Sequence, residues 1–218
     1  MRSDMQLISI NVGSTRQIEF EGKKFSTGIF KFPVSGSVAV SLTKIQGDGQ
    51  ADLESHGGVD KAVYLYPFEH YSFWRTELSE GIEELGSFGE NFTAQGMLEE
   101  EVCIGDTFKV GSTIVQVTQP RTPCYKLAAR FNRADLPRKF LKSLKSGFYL
   151  RVLQAGQVTA GDCFILCDQD PKPVTVCEVA RTYHFQREDR SAIEGVLENR
   201  SLSAEWRRDL QQRLDRLP

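Results

Sequence analysis

The stretch with the densest chemistry is Gln119-Pro120-Arg121-Thr122-Pro123-Cys124-Tyr125-Lys126-Leu127. Its two prolines stiffen the backbone and predict an irregular loop after a strand. Arg121 and Lys126 flank Cys124. Nearby cations stabilise a thiolate, which is both a nucleophile and a soft metal ligand. On residue chemistry alone, a functional Cys124 and a structural one are evenly matched. A second segment, His56-Gly57-Gly58-Val59-Asp60-Lys61, joins an imidazole suited to hydrogen bonding or proton shuttling to glycines that admit a ligand close to the backbone. A lone histidine in a glycine turn is more often structural. The third, Gly89-Glu90-Asn91-Phe92, offers an amide that matches a heterocycle edge and a carboxyl that becomes a proton source when buried. Taken singly, it reads as a polar turn.

Other chemistries lack their motifs. The chain has no H-E-x-x-H zinc helix, no G-x-G-x-x-G, no Walker A loop and no G-x-S-x-G elbow. The five cysteines match neither a disulfide scaffold nor the plant-type iron–sulfur spacing. Cys103, Cys163, Cys167 and Cys177 are expected to be thiols that serve as small buried hydrophobes. For Cys163 and Cys167, which can share one face of a strand, a core role outweighs metal binding.

The elements that must position these residues are mainly strands and turns up to about Leu166. Runs at Ser37–Leu42, Ala62–Tyr66 and Thr113–Thr118 are β-rich, and glycine turns separate them. Their number and shortness predict a barrel or sandwich. Pro67 as a first helical residue, with Phe68, Tyr71, Trp74 and Leu78 following at helical spacing, predicts one inserted helix, and Leu136–Leu144 predicts a second, basic one. The pattern V-x-x-G-D-x-F occurs twice, at Val102–Phe108 and Val158–Phe164, and predicts two similar turn-into-strand elements. After the linker Asp170-Pro171-Lys172-Pro173, Thr175 and Glu178 form a capping-box pattern, and three short amphipathic runs follow, the last capped by Ser201 or Ser203. This divides the chain into a β domain over 1–167 and a small helical appendage over 168–218.

With 218 residues, 40% hydrophobic and 26% charged, the composition is that of an ordinary soluble globule. A net charge of -2 supplies no general field for nucleic acid or an anionic membrane, so any anion site must be local. The run Leu7–Ile10 is too short for a signal-peptide core, and nothing approaches the ~18 consecutive apolar residues of a membrane span. The expected location is the cytoplasm.

Together, G-D-G-Q-A-D-x3-H-G-G-x-D-K-A-V at Gly47–Val63, G-E-N-F at Gly89–Phe92 and Q-P-R-T-P-C-Y-K-L at Gln119–Leu127 resemble the MOSC-domain family, named after the C-terminal domain of molybdenum-cofactor sulfurases. Thr27–Val34, T-G-I-F-K-F-P-V, resembles that family's N-terminal region. The nearest subgroup is the YiiM-like proteins, and the likeness covers nearly the whole chain. It implies a mainly β fold with some α, a MOSC-type β-barrel followed by a small three-helix appendage. It further implies a molybdenum cofactor (molybdopterin) held in a cleft, with Cys124 as ligand to the metal. By the same resemblance Arg121, Lys31 and Lys126 are candidates for the cofactor's phosphate or anionic charge, and Asn91 and His56 for pterin or active-site contacts. The implied activity is two-electron reduction of N-hydroxylated compounds such as hydroxylaminopurines to the parent amines. Electrons would come from a separate flavin or iron–sulfur reductase, for which the appendage offers a docking surface. The alternative is a sulfur-carrier or cofactor-handling module with a persulfide on Cys124.

Overall fold

The computed structural model describes residues 5–49, 58–78, 82 and 84–217. Twelve strands are assigned: β1 (Gln6–Val12), β2 (Arg16–Phe20), β3 (Lys23–Thr27), β4 (Phe32–Pro33), β5 (Val38–Val40), β6 (Val63–Pro67), β7 (Phe92–Gln95), β8 (Thr107–Val110), β9 (Thr113–Pro120), β10 (Phe148–Gln154), β11 (Gly156–Val158) and β12 (Ile165–Asp168). Eight of them form one curled sheet in the order β12-β8-β9-β10-β6-β7-β1-β4. All its pairings are antiparallel except β6 with β7. The fold is therefore mixed α/β, and the expected closed barrel is corrected to an open, curled half-barrel. Strand length gives the reason. β12 has only four residues, and the chain just before it meets β1 through an isolated Gln6–Cys163 bridge instead of a ladder.

The repeated V-x-x-G-D-x-F segments do form equivalent turns. Asp106 accepts from the Cys103 amide at 3.0 Å, and Asp162 accepts from the Thr159 amide at 2.8 Å. Gly105 and Gly161 take φ of 92° and 101°, the left-handed region that favours glycine. The strands that follow, β8 and β12, pair with each other, and Phe108 meets Phe164 edge-on at 6.1 Å.

The helices are α1 (His70–Leu78), α2 (Tyr125–Phe131), α3 (Leu136–Ser143), α4 (Val176–His184), α5 (Arg190–Glu198) and α6 (Ala204–Leu214). Pro67 does not start α1 as expected. It ends β6, opposite Ala94 of β7, and a turn intervenes before His70. The capping box of Thr175 and Glu178 is present at α4, Asp189 caps α5, and Ser203 caps α6. Two apolar clusters result. One fills the half-barrel and continues into α4–α6 through Val176, Val179, Ile193 and Trp206. The other, rich in aromatics, joins Tyr64 and Tyr66 of β6 to Tyr71, Trp74, Phe88, Leu127 and Phe140.

Of the cysteines read as buried hydrophobes, Cys103 and Cys177 are buried, but Cys163 and Cys167 are exposed. The correction follows from their place. They sit at and beside the short edge strand β12, whose residues are mostly exposed.

Candidate active site

Strand β9 carries the chain to the site. Pro120 is its last residue and lies opposite Phe148 of β10, and the Arg121 amide donates to Gly147 O at 3.0 Å. Arg121 therefore leaves the end of the sheet with its backbone fixed. The irregular segment is shorter than expected, because Cys124 is already the N-cap of α2. Its φ of -131° and ψ of 177° are the extended values of a cap, but its side chain makes no capping hydrogen bond. Leu127 anchors α2 in the aromatic cluster, and Lys126 is buried.

Cys124 opens into a cleft also lined by Lys31, Asp48, Lys61, Asn91, Arg121 and Lys126, with Tyr64 and Tyr149 in its wall. Of the expected site residues, the structure thus gathers Cys124, Arg121, Lys31, Asn91 and Lys126. His56 lies outside the described residues. Glycine backbone forms part of the wall. A Cβ on Gly28 would fall 2.1 Å from Gly49 O, so these two segments touch only because Gly28 has no side chain.

Asp48 organises one side of the cleft. It pairs with Lys31, accepts from the Gly13 amide at 3.1 Å and accepts from Asn91 Nδ2 at 2.9 Å. The Asn91 amide is fully used, since its Oδ1 accepts from the Tyr64 amide at 3.1 Å and its Nδ2 also donates to Asn11 O at 3.4 Å. Asn91 thus fixes Asp48, and Asp48 fixes Lys31. Burial pulls the Lys31 pKa down against the opposing pull of Asp48. Glu90 is not among the lining residues. It is fully buried and accepts from Tyr71 Oη, from the Gly86 and Phe88 amides and from Thr93 Oγ1. Burial raises its pKa. Its visible role is to latch the 86–90 turn that delivers Asn91.

Arg121 holds the other side. Its guanidinium lies 5.1 Å from the Tyr64 ring and 5.5 Å from the Phe140 ring, and its Nη1 is buried without a hydrogen-bond partner. A buried donor of that kind is costly unless a ligand takes it. Burial lowers its pKa, but Tyr64, Tyr149 and Cys124 outweigh that and the net shift is upward.

Four cations and one carboxylate line the cleft. That excess, with the open donor of Arg121, fits an anionic ligand. Among the described residues no group of three or more His, Cys, Asp or Glu is placed to hold a metal ion. A metal at Cys124 would therefore take one ligand from this thiolate and the rest from its own cofactor, as a dithiolene-bearing pterin would provide. The residues fit such a group. Sequence reasoning singled out neither Asp48 nor Lys61 individually, although both stand in the quoted motifs. Their charge beside glycines was the available signal.

The MOSC domain model matches residues 52–164, and the model of the YiiM-like, 3-alpha helix domain matches 174–217. The chain is 41% identical to the uncharacterized protein YflK of Bacillus subtilis (strain 168), over 97% of this chain and 95% of that one. It is 33% identical to a protein named "Reductase" from Gibberella moniliformis (strain M3125 / FGSC 7600), over 73% of this chain but only 29% of that longer protein. The crystal structure of YiiM from Geobacillus stearothermophilus superposes with a TM-score of 0.82 at 36% identity, covering 96% of this chain and 99% of that one. Family models, relatives and fold agree, and the chain belongs to the MOSC-domain family with a C-terminal YiiM-like three-helix domain.

Proposed function

We propose that this chain is a molybdenum-cofactor-dependent reductase of N-hydroxylated compounds such as hydroxylaminopurines, with Cys124 as the protein ligand to molybdenum. The observation that carries the reading is the buried, unpartnered Arg121 Nη1 in a cation-lined cleft that also holds Cys124. When bound, the cofactor would supply the two electrons that, with two protons, convert the N-hydroxyl compound to amine and water, and a separate flavin or iron–sulfur reductase would restore them. Everything else falls to the protein's own groups. Arg121 donates to the cofactor's anionic oxygens and keeps its charge at any working pH. Lys126 adds positive charge beside the thiolate, and Lys31, held by Asp48, adds it from the opposite wall. Asn91 sets that wall, and His56 is assigned proton delivery on the strength of its motif. The division at 167/168 and a cytoplasmic location belong to the same proposal. Among the described residues no helix is long and apolar enough to cross a membrane. The name of the fungal relative agrees with reductive chemistry.

The test is molybdenum per chain, together with reduction of a hydroxylaminopurine, for the natural sequence and Cys124→Ser expressed in a cofactor-competent host. Near-stoichiometric metal and turnover in the first, with turnover abolished in the second, is the expected result. A metal-free protein with a persulfide on Cys124 would replace this reading with sulfur transfer.

A further inference from the structure

Lys61 is the last residue of a 3-10 turn over Val59–Lys61 that sits between the cleft and the helical domain. Asp60 pins the turn to both the half-barrel and the helical domain. The Asp60 carbonyl accepts from Thr118 Oγ1 at 2.7 Å, and its carboxylate pairs with Arg151 at 2.9 Å and accepts from the Ala204 amide of α6 at 3.2 Å. Arg151 in turn donates to Ser201 O at 3.1 Å. The neighbouring Lys61 lines the cleft, yet its ammonium pairs with Glu205, in the first turn of α6. The two partners differ in freedom. The Lys61 side chain is 9% exposed and the Glu205 side chain 48%.

We propose that Lys61 is an anion-binding residue of the cleft and that the three-helix domain sets its availability, because Glu205 and a bound phosphate group compete for its ammonium. Half-exposed, Glu205 can turn to water, and the incoming phosphate takes over the nearly buried ammonium, so the exchange leaves no charge unpaired. A carboxylate in the first turn of a helix also remains favourably placed without its cation. Lys61 stays where it is, because Asp60 holds its turn on both sides. A multiply charged phosphate therefore displaces a singly charged, solvent-facing carboxylate. Linkage makes the effect reciprocal, so anion binding loosens the Glu205 contact to α6. This inference rests on the reading of the cleft as an anionic-cofactor site, and it assigns the helical domain a part in that site.

The experiment is calorimetric titration of the full chain with inorganic pyrophosphate at low ionic strength. It compares the natural sequence, Lys61→Gln, Glu205→Gln, the double variant and Arg121→Gln, with the melting temperature of each checked. Expected are weakening by about tenfold for Lys61→Gln, as for loss of one charge-assisted hydrogen bond, and tightening by roughly threefold for Glu205→Gln. The double variant should bind like Lys61→Gln alone. Glu205→Gln that binds no tighter than the natural sequence, or Lys61→Gln that binds as well, overturns the inference. If Arg121→Gln binds like the natural sequence while the Lys61 and Glu205 effects stand, the cofactor reading of Arg121 fails and the coupling survives. No binding by the natural sequence overturns both.

Discussion

Cys124 is the N-cap of α2 and, in the proposed function, the ligand to the metal, and the two roles separate under substitution. As the N-cap of α2 it has the right backbone but leaves the cap's side-chain hydrogen bond unmade. Serine is among the preferred N-cap residues, and a made cap contributes ~1 kcal/mol. Cys124→Ser should therefore fold with a melting temperature equal to or above that of the natural sequence, while turnover is abolished. A thermal melt by circular dichroism checks this, and a clear drop in melting temperature would mean that the thiol also supports the fold. That Cys124, Arg121 and Lys126 share one cleft is legible in the sequence, because the three crowd into one short segment. The places of Asp48 and Lys61 are not, since each has its partner far along the chain: Asn91 for Asp48 and Glu205 for Lys61. Asn91 shows the limit from the other side. Its type suggested a heterocycle contact, while its hydrogen bonds go to Tyr64, Asn11 and Asp48.

At the scale of elements, caps and periodic faces were readable and exposed ribbons were not. The capping box at α4 follows from Thr175 and Glu178, which are near neighbours. The hairpin β2–β3 carries only a faint signal, because Ile18, Phe20 and Phe25 are only half-buried between exposed polar residues and Thr27 alone is buried. Pro67 misled because a proline suits both a helix start and a strand end. The helical domain carries a pH-sensitive end in His184, the last residue of α4. Burial, with the charges of Arg213 and Arg187, pushes its pKa down to about 4. The unfolded chain then binds more protons between roughly pH 6.5 and the folded value, so stability falls as pH drops through that window. The loss should be on the order of 1–2 kcal/mol once solvent screening is allowed for. Denaturant unfolding at pH 7 and pH 4.5 should show it, and His184→Gln should lose this component of the pH slope. An identical slope in that variant would place the sensitivity elsewhere.

For the whole molecule, the question is whether the helical domain is an attachment or part of the body. The sequence marks three short amphipathic helices as a small appendage. In the structure they share the core of the half-barrel. Val176, Val179, Ile193, Val196, Trp206 and Leu210 belong to the same apolar cluster as Val102, Ile104 and Val117 of the half-barrel. Backbone hydrogen bonds cross the junction from Ile104 N to Val174 O at 2.9 Å, from Cys177 N to Glu99 O at 2.8 Å and from Ser203 N to Thr118 O at 3.1 Å. The Glu99 carboxylate reaches the other way, to His70 at 2.6 Å and to the Gly147 amide at 2.7 Å, beside the backbone that holds Arg121. Burying one large apolar side chain contributes ~1.5–3 kcal/mol, against a net stability of only ~5–15 kcal/mol for a domain. Six such contacts are comparable with that whole margin. The fragment 1–167 should therefore show no cooperative thermal transition and should bind a hydrophobic dye, whereas the full chain melts cooperatively. Docking of an electron donor on the helices must accordingly be probed by substitutions on their exposed faces, because deletion removes core along with surface. A cooperative melt from the isolated fragment would show that the half-barrel stands alone, and deletion would then become a fair test of docking.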